Sequence, residues 1–226
     1  MKASPALQLS AVIPLGSDDR TDELASRLKR HHRIGEVIVS ATAPAPGKPD
    51  YCDQWIHGPA GRGAQLNRGA AAARYSWLWF VHADSRLTDT TVDAVSEFAS
   101  STHAAIGYCR LRFCDDGPWL VRLNALGANL RSWLLRQPYG DQGLCMPAEV
   151  FEGLGGFREE LRRGEDLDFI VRAGMAGIPI RSVGASITTS ARRYREQGWV
   201  RTTWGHQVAA ARLIRNARHS VRSDHP

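Results

Sequence analysis

Residues 76–85, SWLWFVHADS, constrain this chain more than any other stretch. Trp77, Leu78, Trp79, Phe80 and Val81 are five large apolar side chains in unbroken succession, the pattern of a strand buried on both faces of a sheet. The run then breaks into His82, Asp84 and Ser85. Polar groups delivered at the carboxyl end of such a strand face the crevice where open α/β sheets bind ligands.

The flanking segments supply the rest of an α/β pattern. Residues 7–15 (LQLSAVIPL) read as a first strand closed by Pro14, and Gly16-Ser17-Asp18-Asp19 as the loop into a helix over about 21–33 with Leu24, Ala25 and Leu28 inward. Val37-Ile38-Val39 follows as a short strand, so strand, helix, strand predicts a right-handed parallel unit. The Pro-rich residues 43–49 are a loop, and residues 51–57 resume a strand-like pattern. Further on, helices are expected over 88–100, with Val92, Val95 and Phe98 inward, and over 119–136, with Leu120, Leu123, Leu126, Leu130, Leu134 and Leu135 along it. A strand with one wetter face is expected over 104–114.

At 226 residues, with 43% hydrophobic and 23% charged content, the chain can bury a core of its own. No apolar run reaches the ~20 residues of a membrane span, and the N-terminus lacks the apolar stretch of a signal peptide, so a cytoplasmic location is expected. Cys52, Cys109, Cys114 and Cys145 form no CxxC pair and are read as reduced, buried thiols. The net charge of +6 is concentrated late: Arg192, Arg193, Arg195, Arg201, Arg212, Arg215, Arg218 and Arg222 face a single Glu196 between 192 and 222. A basic end attracts phosphate groups, nucleic acid or a membrane surface. The seven tryptophans do not interleave with that basic run as a base-stacking platform would, which argues against nucleic acid. Residues 196–226 form a basic amphipathic helix and tail that can dock on the domain, pair two copies, or lie on a membrane and carry the protein to a lipid-linked acceptor.

Three acidic placements carry candidate chemistry. Asp84, alone or with His82, can hold a hard divalent ion against a diphosphate, because such an ion needs few protein oxygens and completes its shell with water and phosphate. Asp141 and Gln142, in the glycine-bracketed turn that begins at Tyr139, can read sugar hydroxyls or simply close a turn. Glu165 and Asp166 open a helix whose N–H groups favour ionised carboxylates, while Asp168 and Arg172, four apart, look like a surface pair. The glycines before Arg62, followed by Asn67 and Arg68, lead into an Ala-rich helix suited either to a phosphate or to close approach to the sheet.

Taken in order, AVIP, EVIV, GRGAQLNRGA, WFVHADS, PYGDQG, GGF, ED and TTSARR resemble the family 2 glycosyltransferases of the GT-A fold, nearest to the bacterial subgroup associated with arsenosugar biosynthesis. The resemblance spans about residues 10–203. It implies a Rossmann-like three-layer α/β/α sandwich with a mostly parallel central sheet, occupying residues 1–195. It also implies inverting transfer from a nucleoside-diphosphate sugar with the help of Mg²⁺ or Mn²⁺. His82-Ala83-Asp84 takes the place of the family's Asp-x-Asp metal motif, and Asp166, with Glu165 beside it, that of the catalytic base. Pro14, Gly16, Asp18, Asp19, Arg62, Asn67, His82, Ala83, Asp84, Arg192 and Arg193 are implied on the nucleotide side of the donor, and Tyr139, Asp141 and Gln142 on the side of the acceptor and the donor sugar.

The chain departs from the family where Asn-Glu commonly follows the first strand and an Asp-rich turn the second: it has Gly16-Ser17-Asp18-Asp19 and Ser40-Ala41-Thr42-Ala43. Ser190 stands near the place of a late metal-binding histidine. A sugar-1-phosphate nucleotidyltransferase is the alternative enzyme, although Gly16-Ser17-Asp18-Asp19-Arg20 is a poor version of the loop that chemistry uses. A non-catalytic anion-binding module is the alternative of another class.

Overall fold

The computed structural model describes residues 8–17, 20–45, 47, 49–102, 104–114 and 120–190. Seven strands form one sheet: β1 (Leu9–Leu15), β2 (Ile34–Ala41), β3 (Gln54–His57), β4 (Trp77–Phe80), β5 (Ile106–Phe113), β6 (Cys145–Pro147) and β7 (Ile180–Thr189). Their order across the sheet is β3-β2-β1-β4-β6-β5-β7. Only β6 runs against its neighbours; β1 pairs in parallel with β2 and β4, β2 with β3, and β5 with β7.

Strand β4 lies at the centre and is buried throughout, as its unbroken apolar run predicts. Because successive strand residues point to opposite faces, Trp77 and Trp79 enter one core and Leu78 and Phe80 the other. The first core is closed by α1 (Asp22–Arg30) through Leu24, Ala25 and Leu28 and by α3 (Asp89–Ser101) through Val92, Val95 and Ala99. Phe98 is only partly buried there and meets the Trp77 ring edge-on at 6.2 Å. The second core is closed by α2 (Arg62–Ala71), α5 (Ala148–Gly153) and α6 (Glu165–Met175), with Phe80, Phe151, Phe157 and Phe169 packed ring on ring at about 5 Å. Helices on both faces of a mostly parallel sheet make the expected three-layer α/β/α sandwich.

The glycines of α2 serve close approach. A Cβ at Gly69 would come within 2.2 Å of Val12 Cγ1, so the helix can lie on β1 only with hydrogen at that position. Glu36, buried in β2, accepts from Ser10 Oγ, Gln54 Nε2 and the Arg74 N–H and Nε, which ties three strands to the segment entering β4. Burial works against the ionised Glu36, but these donors together hold its pKa below the ordinary glutamate value.

Helix α4 (Val121–Leu135) differs from its expected arrangement. Leu123, Leu126, Leu130, Leu134 and Leu135 are exposed, and Val121 and Ser132 are buried instead. The helix is fastened by polar groups: Asn129 accepts from the Leu111 N–H and donates to its carbonyl, and Ser132 Oγ lies 2.8 Å from Gln142 Oε1. Small side chains on the inner side let those bonds form, and the leucines are left outward.

Two more expectations are corrected. Asp168 and Arg172 are 2% and 9% exposed, a buried pair at 2.8 Å, with Arg158 3.5 Å from the other Asp168 oxygen. Arg172 also donates to the carbonyls of Leu154 and Gly156, so the pair anchors the Gly155-Gly156-Phe157 loop under α6. Cys52, Cys109 and Cys145 are buried free thiols, whereas Cys114 is half-exposed. Among the described residues no helix is long and apolar enough to cross a membrane. The boundary expected between residues 195 and 196 and the basic helix after it lie outside the described residues.

Candidate active site

The carboxyl end of β4, the start of α2, the short 3₁₀ turn Gly140–Gln142 and the start of α6 meet in one crevice. Gly140 is where they touch. Its N–H donates to Asp166 Oδ2, and a Cβ built on it would stand 2.8 Å from Asp166 Oδ2, 2.8 Å from an Arg62 terminal nitrogen and 3.1 Å from His82 Nε2. Arg62 Nε lies 3.1 Å from Glu165 Oε1, and another guanidinium nitrogen lies 3.3 Å from His82 Nδ1. Asp166 also accepts from the Leu167 N–H at 2.8 Å, a bond open to a carboxylate at a helix start.

Electrostatics bind the same groups together. The pKa of Asp141 is raised from 3.8 to about 6, first by burial and then by the Asp166 charge, with Asp84 adding to the rise and Arg62 and Arg131 opposing it. Glu165, 2% exposed, is likewise raised, first by burial and then by the Asp166 charge, against the opposing pull of Arg62. Asp141 and Glu165 thus sit where burial disfavours the charged carboxylate, with Arg62 opposing both shifts. Such an arrangement destabilises the charged forms unless a cation or a hydrogen-bond donor enters.

Among solved structures, S. aureus TarS 1–349 superposes with a TM-score of 0.59 at 14% identity, covering 81% of this chain and 60% of that one. The same protein in complex with UDP gives 0.61 at 14% identity, over 93% of this chain and 65% of that one. The mannosyltransferase PcManGT from Pyrobaculum calidifontis, in complex with GDP-Man and Mn²⁺, gives 0.58 at 18% identity, over 81% and 56%. The fold is that of the GT-A glycosyltransferases. This chain spans about 60% of the length of these GT-A proteins. No protein-family model and no curated protein sequence matches it.

Seen in the GT-A sheet, the residues expected on the donor side separate into groups. Pro14 and Gly16 sit at the end of β1, and Gln65 Nε2 bridges the carbonyls of Leu15 and Ser40 at 2.9 Å each, holding the ends of β1 and β2 at a fixed spacing. His82, Ala83 and Asp84 follow β4, with Asp84 exposed. The next segment is pinned to the end of β7 by paired backbone bonds between Arg86 and Thr188. Asn67 does not face the donor side: its amide donates to the Phe157 carbonyl at 2.8 Å and to Glu159, and accepts from the Phe157 N–H at 2.9 Å. It docks α2 on the loop before α6. Asp18, Asp19, Arg192 and Arg193 lie outside the described residues.

The acceptor-side expectation divides similarly. Gln142 is fully buried, and its amide is consumed by Ser132, the Tyr139 N–H and the Cys109 carbonyl, so it shapes the GT-A turn from beneath instead of reading a sugar. Tyr139 and Asp141 remain toward the crevice, both partly exposed. Arg131, not singled out in the sequence, lies with its guanidinium 3.5 Å over the Tyr139 ring and donates to the Gln137 carbonyl. No local pattern marks Arg131, because its partners come from the turn beyond its own helix.

A divalent ion can be tested against these residues. Among the described residues no three His, Cys, Asp or Glu side chains converge to form a metal site by themselves. Asp84 supplies one exposed carboxylate at the mouth of the crevice, which suits a hard ion that takes its other ligands from phosphate and water. His82 has one nitrogen beside the Arg62 guanidinium and the other beside Gly140, positions that favour orienting Arg62 over ligating a cation.

Proposed function

We propose that this chain is an inverting glycosyltransferase of the family 2 type, acting on a nucleoside-diphosphate sugar, and that its arsenosugar-like motifs mark the same crevice. One observation carries the reading: Gly140 stands against Asp166, Arg62 and His82 together, so the end of β4, the start of α2 and the start of α6, far apart in sequence, close on one crevice. A donor diphosphate held at Asp84 and an acceptor hydroxyl held near Asp141 would then be neighbours.

In this reading Asp84 would hold Mg²⁺ or Mn²⁺, and the ion would supply positive charge against the diphosphate. Asp166 is the base. The acceptor oxygen bonds to the anomeric carbon as the bond from that carbon to the phosphate oxygen breaks, and the hydroxyl proton passes to Asp166; a well-placed base contributes ~10²–10⁴-fold. The N–H groups of Gly140 and of Leu167 at the helix start hold Asp166 in place and aim it. Glu165 is too buried to meet an acceptor and instead orients Arg62, whose guanidinium borders the same space. Asp141, its pKa raised to about 6, can accept from an acceptor hydroxyl and, where protonated, donate to it, and Tyr139 lies two residues before it in the same turn.

Calorimetric titration of UDP and GDP with and without Mn²⁺ tests this. At least one nucleotide is expected to bind about tenfold or more tightly with metal, and Asp84→Asn should remove that gain. Binding that ignores both metal and Asp84 overturns the assignment.

A further inference from the structure

Helix α4 is built inside out. Leu123, Leu126, Leu130, Trp133 and Leu134 recur at helical spacing along one side, each between 49% and 71% exposed, while Val121, Ala128 and Ser132 face inward. Exposed apolar residues scattered singly are ordinary; five aligned on one helix face, including a tryptophan, form a surface that water does not favour. Residues 121–136 also carry Arg122, Arg131 and Arg136 and no Asp or Glu.

We infer that this face of α4 docks on an anionic lipid bilayer. Charge separates that occupant from the others. A second copy seated on the same face would bring arginines against arginines. The chain's own residues 191–226 contain eight arginines against Glu196 and Asp224, so they too are cationic and a poor electrostatic match. A leucine and tryptophan face on a helix of net positive charge matches an anionic interface, where the apolar side chains enter the acyl boundary and the exposed Arg136 meets phosphates. The helix runs through Arg136, the one described non-glycine residue with a positive φ (53°), into the turn that holds Tyr139 and Asp141. Docking through α4 therefore sets that side of the crevice next to the bilayer.

The test is co-sedimentation of the full chain with vesicles of phosphatidylcholine alone or with about a third phosphatidylglycerol. Binding is expected to the anionic vesicles only, to weaken with salt, and to fall about tenfold or more when Leu126, Leu130 and Trp133 are all changed to Gln. Hydrogen exchange on the unaltered protein provides a readout independent of that variant's folding: vesicles should slow exchange in residues 121–136. Three outcomes overturn the inference: no binding to anionic vesicles, protection confined to residues 191–226, or a dimer dissolved by the Gln substitutions with no vesicle binding. Nucleotide titration of the same samples is independent of the outcome, since α4 does not contribute to the donor side.

Discussion

Replacing Asp141 with Asn should stabilise the protein at neutral pH, and the structure gives sign and size. The carboxyl is raised from 3.8 to about 6, first because it is desolvated and then because Asp166 and Asp84 oppose its charge. A carboxyl whose pKa is higher folded than unfolded contributes its stability fully below the unfolded value and loses it as pH rises through the folded one. The window is therefore about pH 4 to 6. A shift of about 2 units corresponds to at most ~3 kcal/mol at 1.36 kcal/mol per unit. Asp141 is partly exposed, and solvent screening reduces this to ~1–2 kcal/mol. Urea unfolding of wild type and Asp141→Asn at pH 5 and pH 8 reads the difference directly. Asn should be the more stable at pH 8 by that amount, with the gap narrowing toward pH 5, while transfer falls because a titratable group is lost from the acceptor side. An Asn variant that is less stable at pH 8, or displaced equally at both pH values, refutes the reasoning.

Gly140→Ala should lower transfer by about 10²-fold with little change in melting temperature, because the new Cβ displaces the movable ends of Arg62, Asp166 and His82 and no backbone atom; steady-state kinetics beside a thermal melt checks both halves. Arg172→Met should cost ~3–5 kcal/mol in urea unfolding by leaving the buried Asp168 with only the longer contact to Arg158 and the Leu154 and Gly156 carbonyls without their donor. The pair lies outside the crevice, so the folded fraction of that variant should keep its nucleotide affinity.

The sequence made the sheet legible where local pattern reports burial directly. The apolar run of β4 and its polar break placed Asp84 at the sheet edge, and the acidic start of α6 placed Glu165 and Asp166 at a helix terminus. What stayed hidden are choices made by distant backbone groups. Asn67 and Gln142 are amides that suit a ligand or a carbonyl equally well, and the carbonyls that claim them, Phe157 and Cys109, are far away in sequence. Asp168 and Arg172 have the same four-residue spacing on a surface or beneath a loop; the carbonyls of Leu154 and Gly156 decide which. The leucines of α4 announce a helix, but their period does not say which side faces the sheet. Gly140 reads as a turn residue, and its role at the meeting point of three side chains exists only after α2, β4 and α6 are assembled.

The most direct measurement compares Asp166→Asn with wild type in single-turnover reactions, using whichever uridine- or guanosine-diphosphate sugar binds in the presence of Mn²⁺. If Asp84 grips the donor and Asp166 serves only the incoming hydroxyl, the variant should hold the donor with nearly unchanged Kd and transfer ~10²–10⁴-fold more slowly. A variant that binds donor poorly yet transfers at the normal rate once loaded would contradict the division of labour between the two carboxylates.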